Sequence, residues 1–191
     1  LETWNIDPEK IKEKINRRTR AIIPVHLYGH PANMGQILSI ARKYNLKVIE
    51  DAAESHGALY RKKMVGSLGD VGCFSFFGNK IMTTGEGGMI TTNNKAYAAE
   101  VKVLRDHGQS RRRKYYHSKL GFNYRMTNLQ AALGLAQLRK IDKIIERKRE
   151  IAKLYAEGLK DLVPEISLHP EANWAKNVYW MYSILVYKQG T

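Results

Sequence analysis

Ala21-Ile22-Ile23-Pro24-Val25, then Met34-Gly35-Gln36-Ile37-Leu38-Ser39-Ile40-Ala41-Arg42-Lys43-Tyr44, then Leu46-Lys47-Val48-Ile49-Glu50-Asp51 are consecutive pieces of the stretch that decides the fold. The first is a short apolar run, which predicts a buried strand, and it ends at the turn signal Tyr28-Gly29-His30-Pro31. In the second, Ile37, Leu38, Ala41 and Tyr44 recur at helical spacing. The third is strand-like again and closes on two carboxylates. Strand, helix, strand is the repeating unit of a parallel sheet, because parallel neighbours need a crossover between them.

Working outward, Asp7-Pro8 followed by Ile11 and Ile15 predicts a short capped helix. Residues 71–76 and 89–92 read as strands with glycine-rich turns beside them, and residues 95–107 as a helix. Thr127 and Gln130 have capping-box spacing. The helix they open is expected to run through Leu138, Ile141, Ile145, Ala152, Tyr155 and Leu159 until Pro164 ends it. Residues 182–186 predict a late strand. The expected architecture is an α/β domain, mostly parallel sheet with helices on both faces, over residues 1–163. Residues 164–191 are expected to begin a smaller C-terminal domain. The chain opens on Leu1 rather than methionine and stops at Tyr187-Lys188-Gln189-Gly190-Thr191, directly after that strand, so a piece of a longer polypeptide is expected.

Hydrophobic residues make up 43% of the chain and charged ones 26%, the balance of a soluble globular protein. No apolar run approaches a membrane span and no secretory leader opens the chain. The single cysteine, Cys73, allows no internal disulfide, which fits a reducing, cytoplasmic setting. Against 18 Asp and Glu stand 32 Lys and Arg, a net charge of +14. Such an excess suits nucleic acid or phosphorylated small molecules. Residues 10–20 and 139–149 read as solvated helix faces. A regulatory nucleic-acid-binding protein is thus one reading, but the chain has no zinc-finger, RNA-binding or helix-turn-helix signature.

Asp51 falls at the carboxyl end of a buried strand, where open α/β sheets bind ligands in the crevice between connecting loops. The pair Glu50-Asp51 could equally cap the next segment. Further on, Phe74-Ser75-Phe76-Phe77-Gly78-Asn79-Lys80 leads into Thr83-Thr84-Gly85-Glu86-Gly87-Gly88-Met89. A lysine between an apolar strand and a glycine-rich turn is partly desolvated, which disfavours its charged form and exposes a nucleophilic amine. The glycines let backbone amides approach an anion, and Ser75 adds a hydroxyl. An ordinary hairpin with a surface lysine would account for each element taken singly.

Together, Pro24-Val25-His26-Leu27-Tyr28-Gly29, Glu50-Asp51-Ala52-Ala53-Glu54-Ser55, the Ser75 to Lys80 segment, the Thr83 to Met89 run and Gly121-Phe122-Asn123-Tyr124-Arg125-Met126-Thr127-Asn128-Leu129-Gln130 resemble the DegT/DnrJ/EryC1/StrS sugar aminotransferases. These are fold-type I enzymes that use pyridoxal 5'-phosphate. The resemblance implies that Lys80 bonds covalently to the cofactor and, once freed, shuttles a proton to the substrate. It implies that Asp51 pairs with the pyridine nitrogen, that Glu54 approaches the ring hydroxyl, and that Ser75 binds the phosphate. Asn123 matches an asparagine that reaches the same phosphate from the neighbouring subunit of a homodimer; a turn residue before the Thr127 helix is the alternative. Arg125 either forms a structural ion pair or faces a substrate anion. His26 and His107 read as structural. Arg111-Arg112-Arg113-Lys114-Tyr115-Tyr116-His117 mixes cations with aromatics, so Arg112 and Tyr115 are candidates for a diphosphate and a nucleobase, or for a solvated loop. The Gly78-Asn79-Lys80 triplet, the Thr83 to Gly88 run and Glu54 resemble most the branch that aminates a GDP-linked 4-keto-6-deoxy sugar with glutamate as donor. A sugar dehydratase of the same fold carries histidine in place of the lysine, so Lys80 argues for amino transfer. No nucleic-acid or membrane partner is expected.

Overall fold

The computed structural model describes residues 2–110 and 112–187. Arg111 of the basic loop, Leu1 and the closing Lys188-Gln189-Gly190-Thr191 lie outside the described residues. Helix α1 (Pro8–Lys14) is capped by the Asp7 carboxylate, which accepts from the Glu9 amide at 2.9 Å, and it buries Ile11. Strand β1 (Ala21–Ile22) runs parallel to β2 (Lys47–Asp51), with Ala21 opposite Lys47 and Ile22 opposite Val48. The run predicted over residues 21–25 makes so short a strand because Pro24 has no N–H to donate. Beyond it only Val25 bridges Asp51, while the Asp51 amide donates to the Pro24 carbonyl at 2.9 Å. The crossover is α2 (Met34–Lys43), whose Met34, Ile37, Ile40 and Ala41 are buried.

A small hairpin, β3 (Leu59–Tyr60) and β4 (Lys63–Met64), precedes β5 (Val71–Ser75), which lies parallel to β2. Strand β6 (Gly88–Thr91) pairs antiparallel with β5, giving the order β1-β2-β5-β6. The sheet is therefore mixed and mostly parallel. Helix α3 (Lys95–Leu104) stops short of residue 107, since His107 and Gly108 both take positive φ and the Gly108 amide turns back to the Val103 carbonyl.

The single helix expected from Thr127 is two, α4 (Asn128–Leu138) and α5 (Ile141–Leu159), with a tight turn at Arg139 and Lys140. The predicted capping box of Thr127 and Gln130 is present. The change of direction lets the pieces face different surfaces: Gly134 on α4 sits against Thr84, while Ile145 on α5 packs over Gly57. Strands β7 (Ile166–Ser167) and β9 (Leu185–Val186) pair antiparallel, and β8 (Ala175–Lys176) joins β3. The late strand is shorter than residues 182–186 because Tyr182 stacks on Tyr155 of α5 at 5.1 Å instead of entering a ladder. Among the described residues no helix is long and apolar enough to cross a membrane.

The core gathers Ile22, Met34, Ile37, Val48, Ala52, Ile145 and Val178 in one cluster. A charge lies buried beside it. Glu50 is inaccessible to water, and its carboxylate accepts from the amides of Gly66, Leu68 and Gly69 at 2.8, 2.7 and 2.6 Å and from His26 Nε2 at 3.0 Å. The His26 Nδ1 accepts from the Ala32 amide at 3.0 Å, so the proton sits on Nε2 and points at Glu50. His26 is thus the satisfied structural histidine that its strand-end position predicts. Burial pushes the Glu50 pKa up, but the His26 bond and the Gly69 and Gly66 amides outweigh it, and the net direction is downward.

Glu50→Gln would turn an NH2 group toward at least one of these donors, and a loss of about 2–4 kcal/mol is expected in urea unfolding at pH 7. A depressed carboxylate contributes stability above its unfolded pKa, about 4.3, and loses it as pH falls through its folded value. The gap between wild type and Glu50→Gln should therefore narrow below pH 4; equal stability at pH 7 would refute the role.

Candidate active site

Residue alternation along a strand places neighbours on opposite faces of a sheet. With Glu50 locked on one face, Asp51 must lie on the other, and the register sets it beside Cys73 of β5. Ser75, two residues along, shares that face. Asp51 Oδ1 accepts from the Ala53 amide at 3.1 Å, and its other oxygen has no donor among the described residues. Burial and the Asp51 charge together push the Cys73 thiol pKa up, so this cysteine is no thiolate at neutral pH. Ser75 Oγ accepts from the Phe77 amide at 3.3 Å, beginning a turn that the Lys80 amide closes on the Phe77 carbonyl at 3.0 Å.

The threonine-glycine run fastens this turn from below. The Thr83 hydroxyl and the Thr84 amide both donate to the Phe76 carbonyl at 2.9 Å, and the Phe76 amide donates to the Gly87 carbonyl at 2.8 Å. Gly87, at φ 153°, approaches Thr84 Oγ1 more closely than any Cβ could. From α4, Gln137 accepts from the Thr83 amide and Gln130 donates to the Glu86 carbonyl.

Lys80 is the result. Its side chain is only 13% exposed, and its Nζ makes no hydrogen bond among the described residues. It stands 3.9 Å from Glu54 Oε1 and 4.0 Å from the centroid of the Trp180 ring. The other Glu54 oxygen accepts from the Tyr28 amide at 2.7 Å. Tyr28 takes a positive φ of 54°, which turns that amide toward the carboxylate. Asp51, Glu54, Ser75 and Lys80 thus collect around the carboxyl ends of β2 and β5, where the sequence pattern puts them.

The remaining candidates lie elsewhere. Arg125 Nη1 donates to Asp106 Oδ2 at 3.1 Å in an exposed ion pair, while Asn123 bridges Asp106 through its backbone and leaves its side chain exposed. Arg112 is exposed, and Tyr115 is 79% exposed beneath the Lys114 ammonium, 5.0 Å from its ring centroid. No hydrogen bond or ion pair among the described residues joins these four to Lys80, Asp51 or Ser75.

Two neighbours carry no sequence signal. Trp180 arrives from a segment remote in the chain. His56 is buried against Phe74 and Phe76, and among the described residues neither ring nitrogen closes a hydrogen bond. Burial lowers its pKa to about 4; the Ser75 backbone opposes the shift and the Lys80 charge adds to it.

A shielded amine, a strand-end carboxylate with a free oxygen, and a hydroxyl beside a glycine turn fit pyridoxal 5'-phosphate. The amine can bond its aldehyde carbon, the carboxylate can face its ring nitrogen and the hydroxyl its phosphate. At Gly78 and Gly85 even an added Cβ would meet nothing within 4 Å, so the backbone there is open to approach. Fold and donor set together define an α/β enzyme domain of the pyridoxal-phosphate class. The chain belongs to the DegT/DnrJ/EryC1/StrS aminotransferase family, which residues 1–191 match throughout. It is 50% identical over 182 residues to GDP-perosamine synthase from Caulobacter vibrioides, covering 95% of this chain and 49% of that protein. To GDP-perosamine synthase from Escherichia coli O157:H7 it is 48% identical over 184 residues, 96% of this chain and 50% of that one. The crystal structure of DesV from S. venezuelae superposes with a TM-score of 0.91 at 35% identity, over 97% of this chain and 49% of that chain. The chain spans about half the length of the curated relatives it matches.

Burial also lowers the pKa of His169 to about 4 and that of His30 below its ordinary value. His56 and His169 therefore stay neutral in the fold down to about pH 4, whereas the unfolded chain protonates histidine near pH 6.5. The unfolded state then binds more protons as pH falls, so stability should decline from pH 6.5 toward 4. His56 and His169 should each account for on the order of 2–3 kcal/mol over that window. Unfolding free energies measured across it should slope less in His56→Leu; an unchanged slope would mean that His56 titrates normally.

Proposed function

We propose that the protein transfers an amino group from glutamate to a nucleotide-linked 4-keto-6-deoxy sugar, in the manner of a GDP-perosamine synthase. Lys80 carries the reading: a shielded amine without a hydrogen-bond partner among the described residues, on a chain about half identical to two GDP-perosamine synthases. Bound pyridoxal phosphate supplies an electron sink for the substrate carbon.

In this reading Lys80 holds the cofactor and moves a proton at its Nζ to and from the reacting carbon. Asp51, with an oxygen free, keeps the ring nitrogen protonated. Ser75 and the glycine backbone bind the phosphate. Glu54 serves the ring hydroxyl with the oxygen that faces Lys80, its other oxygen being committed to the Tyr28 amide. Asn123 acts on the site of a second copy. The exposed Phe122, Tyr124, Leu129 and Leu133 beside it are the kind of apolar surface that a homodimer covers. Arg112 and Tyr115 take the diphosphate and the base, and Arg125 serves a substrate anion when it leaves Asp106. Residues 1–163 belong to the cofactor-binding domain, residues 164–191 begin the smaller one, and the enzyme works in the cytoplasm.

Borohydride reduction of the complete protein followed by peptide mass spectrometry should place a pyridoxyl group on Lys80, and an adduct on another lysine would remove the proposal. Asp51→Asn should keep detectable cofactor binding while turnover falls by roughly 100-fold or more, since an amide cannot hold the ring nitrogen protonated. Among GDP-, dTDP- and UDP-linked 4-keto sugars, the GDP-linked one should give the highest kcat/KM with glutamate.

A further inference from the structure

Trp180 is held from several sides with one face turned to Lys80. Its Nε1–H donates to the Asn79 carbonyl at 2.9 Å, which ties the ring to the residue before the lysine. The part-buried Lys148 donates to the Trp180 carbonyl at 3.0 Å from α5. Just upstream, Asn177 Oδ1 accepts from the Tyr179 amide at 2.8 Å, and Arg149 on α5 donates to the Asn177 carbonyl and to Glu171. The Tyr28 ring lies stacked 6.5 Å away. Packing alone would not require the indole N–H to reach the Lys80 turn, nor the ring centroid to sit 4.0 Å from the lysine nitrogen.

Resting on the reading that Lys80 carries the cofactor, we propose that Trp180 is a positioning residue. Its indole face, together with Glu54, forms the dock in which the Lys80 amine rests whenever it is not bonded to the cofactor. Amino transfer requires this amine to leave the cofactor, act on a proton and return, so it must be kept near without being trapped. A cation over an indole face is held by the ring quadrupole, and a carboxylate at 3.9 Å adds to the attraction. Neither contact is a hydrogen bond, so the dock keeps the amine beside its turn without tying it down. Because the indole N–H is anchored to Asn79, the ring and the lysine turn keep their spacing.

The test uses the complete protein freed of cofactor. Acetylation of Lys80 by an amine-reactive ester is followed by peptide mass spectrometry at pH 7–9, with the other lysines as internal standards. Trp180→Leu removes the face and should raise the relative labelling rate of Lys80 by roughly three-fold or more, whereas Trp180→Phe keeps a face but loses the N–H anchor and should fall between Trp180→Leu and wild type. Equal labelling in Trp180→Leu and wild type would overturn the proposal. Should Trp180→Leu not accumulate as folded protein, Trp180→Phe decides by amide hydrogen exchange. Loss of the N–H bond to Asn79 should speed exchange in residues 77–82 and leave β2 and β5 unchanged, and unaltered exchange there overturns the anchoring. These readouts need neither cofactor nor sugar. A pyridoxyl adduct on another lysine would instead remove the aminotransferase reading and leave the labelling data as they stand.

Discussion

At Glu50 a carboxylate without access to water receives four donors from two directions, His26 after β1 and the amides of residues 66–69 before β5. A buried charge left short of partners is costly, so the loop entering β5 must bring its amides to this point and the chain after β1 must deliver its histidine there. That requirement fixes the register of three chain segments at once. It also fixes which way the next residue points, because β2 alternates. The orientation of Asp51 toward the candidate site is thus a consequence of a residue that takes no part in chemistry.

From this anchored sheet the site grows by short connections: Asp51 to Glu54 over one turn, Ser75 to Lys80 over another, and the threonine-glycine run beneath. A second support comes from far along the chain. Arg149, Glu171, Asn177 and Tyr179 form a partly buried polar network between α5 and the segment that carries Trp180. Burial first, and then the neighbouring Glu171 carboxylate, hold the Tyr179 phenol well above its ordinary pKa, so it remains a donor at any physiological pH. One wall of the site is therefore held by hydrogen bonds to α5 rather than by the sheet.

How much of this could be read in the sequence varies with the range of the interaction involved. The strand–helix–strand unit and the two capped helices follow from periodicity and local hydrogen bonding, and their side chains and backbone sit as the pattern implies. The break between α4 and α5 was hidden, because no proline or glycine marks Arg139-Lys140 and the apolar positions from Leu138 onward keep a helical period. Only the packing of Gly134 and Ile145 on separate surfaces shows it. The pair Glu50-Asp51 offered both a capping and a ligand-binding reading. The structure gives Glu50 to His26 and the loop before β5, while Asp51 caps the next segment at the Ala53 amide and keeps its other oxygen free, a division that depends on which sheet face is buried. Trp180 lies 101 residues from Asn79, whose carbonyl it binds, and His56 packs tilted against Phe74 and Phe76. Neither has a local pattern to betray it.

Tyr28 shows what such an arrangement asks of the main chain. A left-handed backbone at a bulky residue is strained by on the order of 1–3 kcal/mol, and glycine would relieve it at no steric expense. Glycine would also supply the same amide to Glu54. The backbone at position 28 thus favours the smallest residue, while the chain carries one of the larger ones, its ring stacked beside Trp180. Backbone geometry and side-chain stacking therefore pull in opposite directions at this position: the ring sits beside Trp180 at the expense of a left-handed main chain.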